Sequence, residues 1–128
     1  MDESKKMKKV IMIADDSSTV RKFVAFSLKM NQFEVVMAED GMDAMEKISQ
    51  NQVDLAIVDL NMPNMDGFEF IETIRKTDDY KNLPIIILSS EKSEESIQKG
   101  KSVGADSYLV KPFNAKMIQY HVAKFLDE

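Results

Sequence analysis

The 128-residue chain contains no cysteine, which excludes disulfide bonds and thiolate metal sites while leaving the redox compartment open. Long hydrophobic runs are missing too, and none approaches the roughly 20 apolar residues a membrane-spanning helix requires. Positive charge is in deficit, with 17 Lys and Arg against 22 Asp and Glu and a formal net charge of -5. Nucleic-acid binding rests on basic, phosphate-neutralising surface, so DNA and RNA are not expected as direct partners. A cation or another protein suits this balance better. The start, Met1 to Val10, has lysines but not the longer apolar stretch and small-residue cleavage site of an export signal, which predicts a cytoplasmic protein. The single histidine, His121, stands in a helical stretch without other metal-ligand residues close by in sequence, and is read as a satisfied or solvated side chain.

What is present describes one globular domain over residues 1–128. With 44% hydrophobic and 30% charged residues, a chain of this size buries roughly two-thirds of its unfolded surface. The ten methionines suit core gap-filling. Short apolar runs predict strands at Val10 to Ala14, Phe33 to Ala38, Leu55 to Leu60, Leu83 to Leu88 and Tyr108 to Val110. Between them, 18–30, 41–50, 66–77, 93–103 and 115–126 carry helical spacing, as in Val20, Phe23, Val24 and Leu28. The alternation is (βα)5, a doubly wound parallel sheet covered on both faces, so that Ile85-Ile86-Ile87-Leu88 need not alternate with polar residues. The fourth helix is the weak one. Its large apolar residues are Ile97 and Val103, and an interior Gly100 costs about 1 kcal/mol relative to Ala. Phe26 and Met30 lie off the core stripe of the first helix and are candidates for contact with a partner protein.

Three acids stand at strand ends: Asp15 and Asp16 after the first, Asp59 at the close of the third. Ligands of open parallel sheets bind outside the carboxyl ends of strands, where strand order reverses. If the first and third strands are neighbours, the three carboxylates meet, repel one another, and either protonate or recruit a hard, oxygen-seeking cation, for which Mg²⁺ fits best. Plainer roles exist. Asp16 or Ser17 would serve as a helix cap, and Asp66-Gly67 with Pro63 reads as turn chemistry. Asp59, flanked by Val58 and Leu60, is harder to explain structurally. Ser89 and Lys111 close the fourth and fifth strands. A hydroxyl and an ammonium beside acids and a cation suit a transferring phosphoryl group, with Asp59 as nucleophile. Lys111-Pro112 is a candidate cis peptide bond.

At this point the chain resembles the receiver domains of bacterial two-component systems, and among them the single-domain chemotaxis response regulators. The carriers are Asp15-Asp16, the run Asp59-Leu60-Asn61-Met62-Pro63-Asn64-Met65-Asp66-Gly67, Ile87-Leu88-Ser89-Ser90 and Tyr108-Leu109-Val110-Lys111-Pro112-Phe113. The resemblance covers essentially the whole chain and implies a flavodoxin-like five-stranded sheet in the order 2-1-3-4-5. It implies that Asp59 is the phosphoacceptor, that Asp16 and Asp59 hold Mg²⁺ directly with Asp15 acting through water, and that Asn61 adds its backbone carbonyl. Ser89 would be the switch hydroxyl, Tyr108 the switch aromatic and Lys111 the phosphate-contacting lysine. The implied partners are a histidine kinase and a target protein met by the fourth helix, fifth strand and fifth helix, the chain being a monomer or a phosphorylation-dependent dimer. Ser89 stands where Thr is frequent and Ser90 where Ala is frequent. Asn61 and Glu91, both polar at positions that tune phosphoryl lifetime, imply a short-lived phosphoryl group.

Two other readings stay in view. A phosphohydrolase of similar fold would carry a second Asp two residues after the nucleophile, where this chain has Asn61; it is therefore expected to promote only its own phosphorylation and dephosphorylation. A chain stopping just after the fifth helix also suits the receiver part of a longer transcriptional regulator.

Overall fold

The structure, a computed structural model, describes residues 8–29 and 31–126. Five strands, β1 (Val10–Ala14), β2 (Glu34–Ala38), β3 (Leu55–Asp59), β4 (Ile85–Ser89) and β5 (Ser107–Val110), form one sheet in the order β2-β1-β3-β4-β5. Every neighbouring pair is parallel. The helices are α1 (Ser18–Lys29), α2 (Gly41–Gln50), α3 (Gly67–Arg75), α4 (Glu94–Val103) and α5 (Ala115–Phe125), with a short 3-10 turn at Asp78–Tyr80. This is the flavodoxin-like arrangement expected.

Alternate residues of each central strand serve opposite layers, which is why the apolar runs are continuous. Ile85 and Ile87 of β4 join Met12, Val58, Phe70, Ile71 and Ile74 in the layer under α2 and α3. Ile86 and Leu88 join Ile11, Ile13, Val24, Leu28, Ile118 and Val122 under α1 and α5. Both layers are built of buried apolar side chains, so β3 and β4 are buried along their whole length and polar side chains appear only where they leave the sheet.

Element ends shift for identifiable reasons. Pro84 has no N–H to give, so β4 begins after it at Ile85, although the Pro84 carbonyl still accepts from Ala56 N–H at 3.0 Å. Leu60 leaves β3 yet stays buried in the first layer. Phe33 precedes β2 and packs against the second. Asp66 and Ser93 fall just outside their helices as caps, accepting from Glu69 N–H at 2.9 Å and Ser96 N–H at 3.1 Å.

The weak α4 acquires a reason. Gly100 is buried, and a β-carbon there would stand 2.9 Å from Ile87 Cδ1 and 3.2 Å from the Tyr108 ring. The glycine that lowers helix propensity thus lets α4 lie close on β4 and Tyr108. Arg75 fixes the far end, donating from Nη2 to the Gly104 carbonyl at 2.7 Å and from Nη1 to the Tyr80 carbonyl at 2.6 Å. Phe26 is 66% exposed on α1, whereas Met30 lies outside the described residues.

Candidate functional site

Strand order reverses between β1 and β3, and the register there pairs Ala14 with Val58. Asp15 and Asp59 consequently leave neighbouring strands side by side, at the position where parallel sheets bind ligands. One carboxylate oxygen from each of Asp15, Asp16 and Asp59 lies within 4.8 Å of the others. Asp15 and Asp59 are buried and Asp16 is exposed. Lys111, one residue beyond β5, donates from Nζ to Asp59 Oδ1 at 3.2 Å and stands 3.6 Å from Asp15 Oδ2. Its own N–H donates to the Ser89 carbonyl at 2.7 Å, which ties it to the end of β4, and the Lys111–Pro112 bond is cis.

Asp15 is held from several directions. Its N–H donates to the Ala38 carbonyl at 3.1 Å, its carbonyl accepts from Arg21 Nη1 at 2.6 Å, and Oδ1 accepts from Ser17 N–H at 2.9 Å. Oδ2 has no hydrogen-bond donor although it is buried. A buried carboxylate oxygen normally has a partner, so this atom calls for one. Burial pushes the Asp59 carboxyl up to about 6; the Asp15 charge adds to the rise and Lys111 opposes it. One ammonium does not offset three carboxylates. Hard oxygen donors, excess negative charge and a buried oxygen without a hydrogen-bond donor together fit a Mg²⁺-like cation.

The remaining predicted residues surround this cluster. Ser89 is buried at the end of β4, and its Oγ accepts from Glu91 N–H at 2.9 Å. Tyr108 is half-buried; its hydroxyl donates to the Glu91 carbonyl at 2.7 Å and shares a 3.0 Å hydrogen bond with Ser96 Oγ. Asn61 is exposed on the loop that follows β3. Ser17, rather than Asp16, caps α1, accepting from Val20 N–H at 3.2 Å. His121 is not among the acids: Nδ1 meets Ser107 Oγ at 3.0 Å, and burial, followed by the Lys124 charge, lowers its pKa.

Arg21 escaped the sequence reading. It sits one helical turn into α1, where an arginine looks like solvated surface, and only the fold turns its guanidinium back onto Asp15.

Residues 11–123 match the family model for the response regulator receiver domain. Among solved structures, the chain is similar to the chemotaxis response regulator CheY4 of Vibrio cholerae, at 38% identity over 93% of this chain and 99% of that one, with a TM-score of 0.88. A Francisella response regulator receiver domain matches at 30% identity over 92% and 96% of the two chains, with a TM-score of 0.85. The Thermotoga maritima response regulator DrrB, an OmpR/PhoB homolog, matches at 27% identity over 94% of this chain but 54% of its own, with a TM-score of 0.86. With the family model spanning nearly the whole sheet and its helices, this chain belongs to the response regulator receiver domains of two-component systems.

Proposed function

We propose that this receiver is a phosphorylation switch in which Asp59 takes a phosphoryl group from the phosphohistidine of a histidine kinase. The observation that carries the reading is Asp59 itself: buried, at a strand end, 3.2 Å from the Lys111 ammonium and grouped with two further acids. An Asp59 carboxylate oxygen attacks phosphorus; the new O–P bond forms as the N–P bond to the donor imidazole breaks, the electron pair stays on that nitrogen, and the ring leaves neutral because its other nitrogen already carries a proton. Water later attacks the same phosphorus, releasing inorganic phosphate and restoring the carboxylate. Lys111 faces the phosphoryl oxygens, and the Ser89 hydroxyl exchanges its Glu91 contact for one of them. Asp16 and Asp59, with the Asn61 carbonyl, would hold Mg²⁺, and Asp15 would act through water. When bound, Mg²⁺ neutralises charge on the transferring oxygens. No second substrate is turned over, so the domain catalyses only its own loading and unloading.

The output surface in this reading is α4, β5 and α5, where Tyr108 is anchored to the loop before α4 and Tyr120 is 65% exposed. Similarity to a chemotaxis response regulator supports that pathway, with a protein target and a monomer or phosphorylation-dependent dimer. The match to only 54% of DrrB favours a second reading, in which such a receiver works as part of a longer regulator.

Intact-protein mass spectrometry with acetyl phosphate and Mg²⁺ tests the switch. The expected result is one added phosphoryl group, suppressed by EDTA and lost soon after the donor is removed, as polar Asn61 and Glu91 imply. Absence of any adduct with Mg²⁺ and donor in excess overturns the phosphoacceptor reading; an adduct surviving for many hours overturns the short lifetime.

A further inference from the structure

The loop between β3 and α3 closes on itself: Gly67 N–H donates to the Leu60 carbonyl at 3.0 Å. Its tip is a three-residue turn centred on Asn64, with φ 70° and Met65 N–H donating to the Pro63 carbonyl at 2.7 Å. Asn adopts such a φ more readily than other non-glycine residues, and here outside support also holds it. The support comes from the corner between β2 and α2. Asn64 Nδ2 donates to Asp40 Oδ2 at 2.8 Å, while Asp40 Oδ1 accepts from Asp43 N–H at 2.7 Å and caps α2. Among the described residues, this is the hydrogen bond that ties positions 61–66 to an element other than their own helix. The backbones also meet, because a β-carbon on Gly41 would stand 2.0 Å from the Met65 carbonyl oxygen.

The same corner reaches the other wall of the acidic pocket, since the Ala38 carbonyl accepts from Asp15 N–H at 3.1 Å. Residues 38–41 therefore bridge the segment carrying Asp15 and Asp16 to the loop carrying Asn61. We infer that the Asp40–Asn64 hydrogen bond is a latch that positions the Asn61 carbonyl against the three acids, so that a pair of side chains outside the pocket sets its affinity for a divalent cation. Asp40 and Asn64 are positioning residues and touch neither the ion nor the phosphoryl group. This inference rests on the proposed role of Asn61.

The latch is tested with Asn64→Gly, which keeps the positive φ accessible and removes the amide, with Asp40→Ser, which retains a cap for α2 but is too short for Asn64, and with the double variant. Mg²⁺ affinity is read by titration calorimetry, amide exchange at 61–66 in metal-free protein, and stability by urea unfolding. Each single variant should weaken Mg²⁺ binding on the order of tenfold, the scale seen when residues supporting metal ligands are removed. The double variant should be no weaker than either single one, as members of one contact are not additive. Exchange at 61–66 should rise in both. Unchanged Mg²⁺ affinity in folded Asn64→Gly protein, whatever happens to stability, overturns the latch alone. Wild-type protein that takes up no Mg²⁺ overturns both the latch and the metal role of Asn61.

Discussion

Asp59→Asn protein is expected to take up no phosphoryl group from acetyl phosphate and yet to be more stable than the wild type at neutral pH. Loss of labelling follows because a neutral amide is not a nucleophile for phosphorus. The stability gain follows from proton linkage. Burial pushes the native Asp59 carboxyl up to about 6, above the ordinary carboxylate value of 3.8. Between those values the native state holds more protons than the unfolded one, so wild-type stability falls as pH rises through this window and is lowest above it. Removing the charge should raise the unfolding free energy by about 1–2 kcal/mol near pH 7.5 in EDTA, a figure reduced for the solvent that reaches the pocket rim. The difference should close as pH falls below about 4, where the Asp59 carboxyl becomes protonated in the unfolded as well as the native wild type. Urea titrations at several pH values measure it. Added Mg²⁺ should stabilise the wild type more than the variant, because a ligand stabilises the form that binds it. A labile adduct on Asp59→Asn would sink the site assignment. An Asp59→Asn stability curve parallel to wild type at every pH would sink the account by burial and neighbouring charge.

Lys111→Met is expected to slow phosphoryl loading by about two to three orders of magnitude, the cost typical of losing a preorganised donor at developing charge. Met preserves the aliphatic stem of Lys111 and removes the ammonium that stands 3.2 Å from Asp59 and 3.6 Å from Asp15. Without it the Asp59 carboxyl should titrate higher than in the wild type, since Lys111 opposes the upward push of burial and Asp15. Loading rates measured across acetyl phosphate concentrations separate the two possible origins. A transition-state role lowers the maximal rate; a role in donor binding alone raises the half-saturating concentration and leaves the maximal rate in place. Loading within about twofold of wild type at saturation would show that Lys111 is dispensable for transfer.

How much of this was readable beforehand depends on whether a residue's role is local or made by the fold. The central strands were legible because both their faces are covered, so the runs through Ile57 and Ile86 are apolar without interruption. Asp59 stood out for the same reason: a charge closing such a strand has no packing role. The meeting of Asp15, Asp16 and Asp59 needed one further assumption, that β1 neighbours β3, and the sheet order supplies it. Strand edges at Phe33, Leu60 and Leu83 were misjudged because these side chains are buried without joining the ladder. Whether Asp16 or Ser17 caps α1 was undecidable from composition, both being good caps; the geometry chooses Ser17 and leaves Asp16 free to face the pocket. Gly100 was read as a defect because helix propensity is local, while its use, close packing on Ile87 and Tyr108, is tertiary. Asp40 with Asn64, and Arg21 with Asp15, left no mark in spacing or period.

Glu91 offers its N–H to Ser89 and its carbonyl to Tyr108. The two side chains thus draw on one residue of backbone, and a change in the hold of either alters what the other can keep. Thermodynamic reciprocity then sets a condition on any signal passing here: if occupancy beside Ser89 changes the affinity of a protein bound over Tyr108, that protein must change affinity beside Ser89 by the same factor. A target that prefers Tyr108 released from Glu91 would act back on the pocket as an effector, so reading the signal and prolonging it become two sides of one equilibrium.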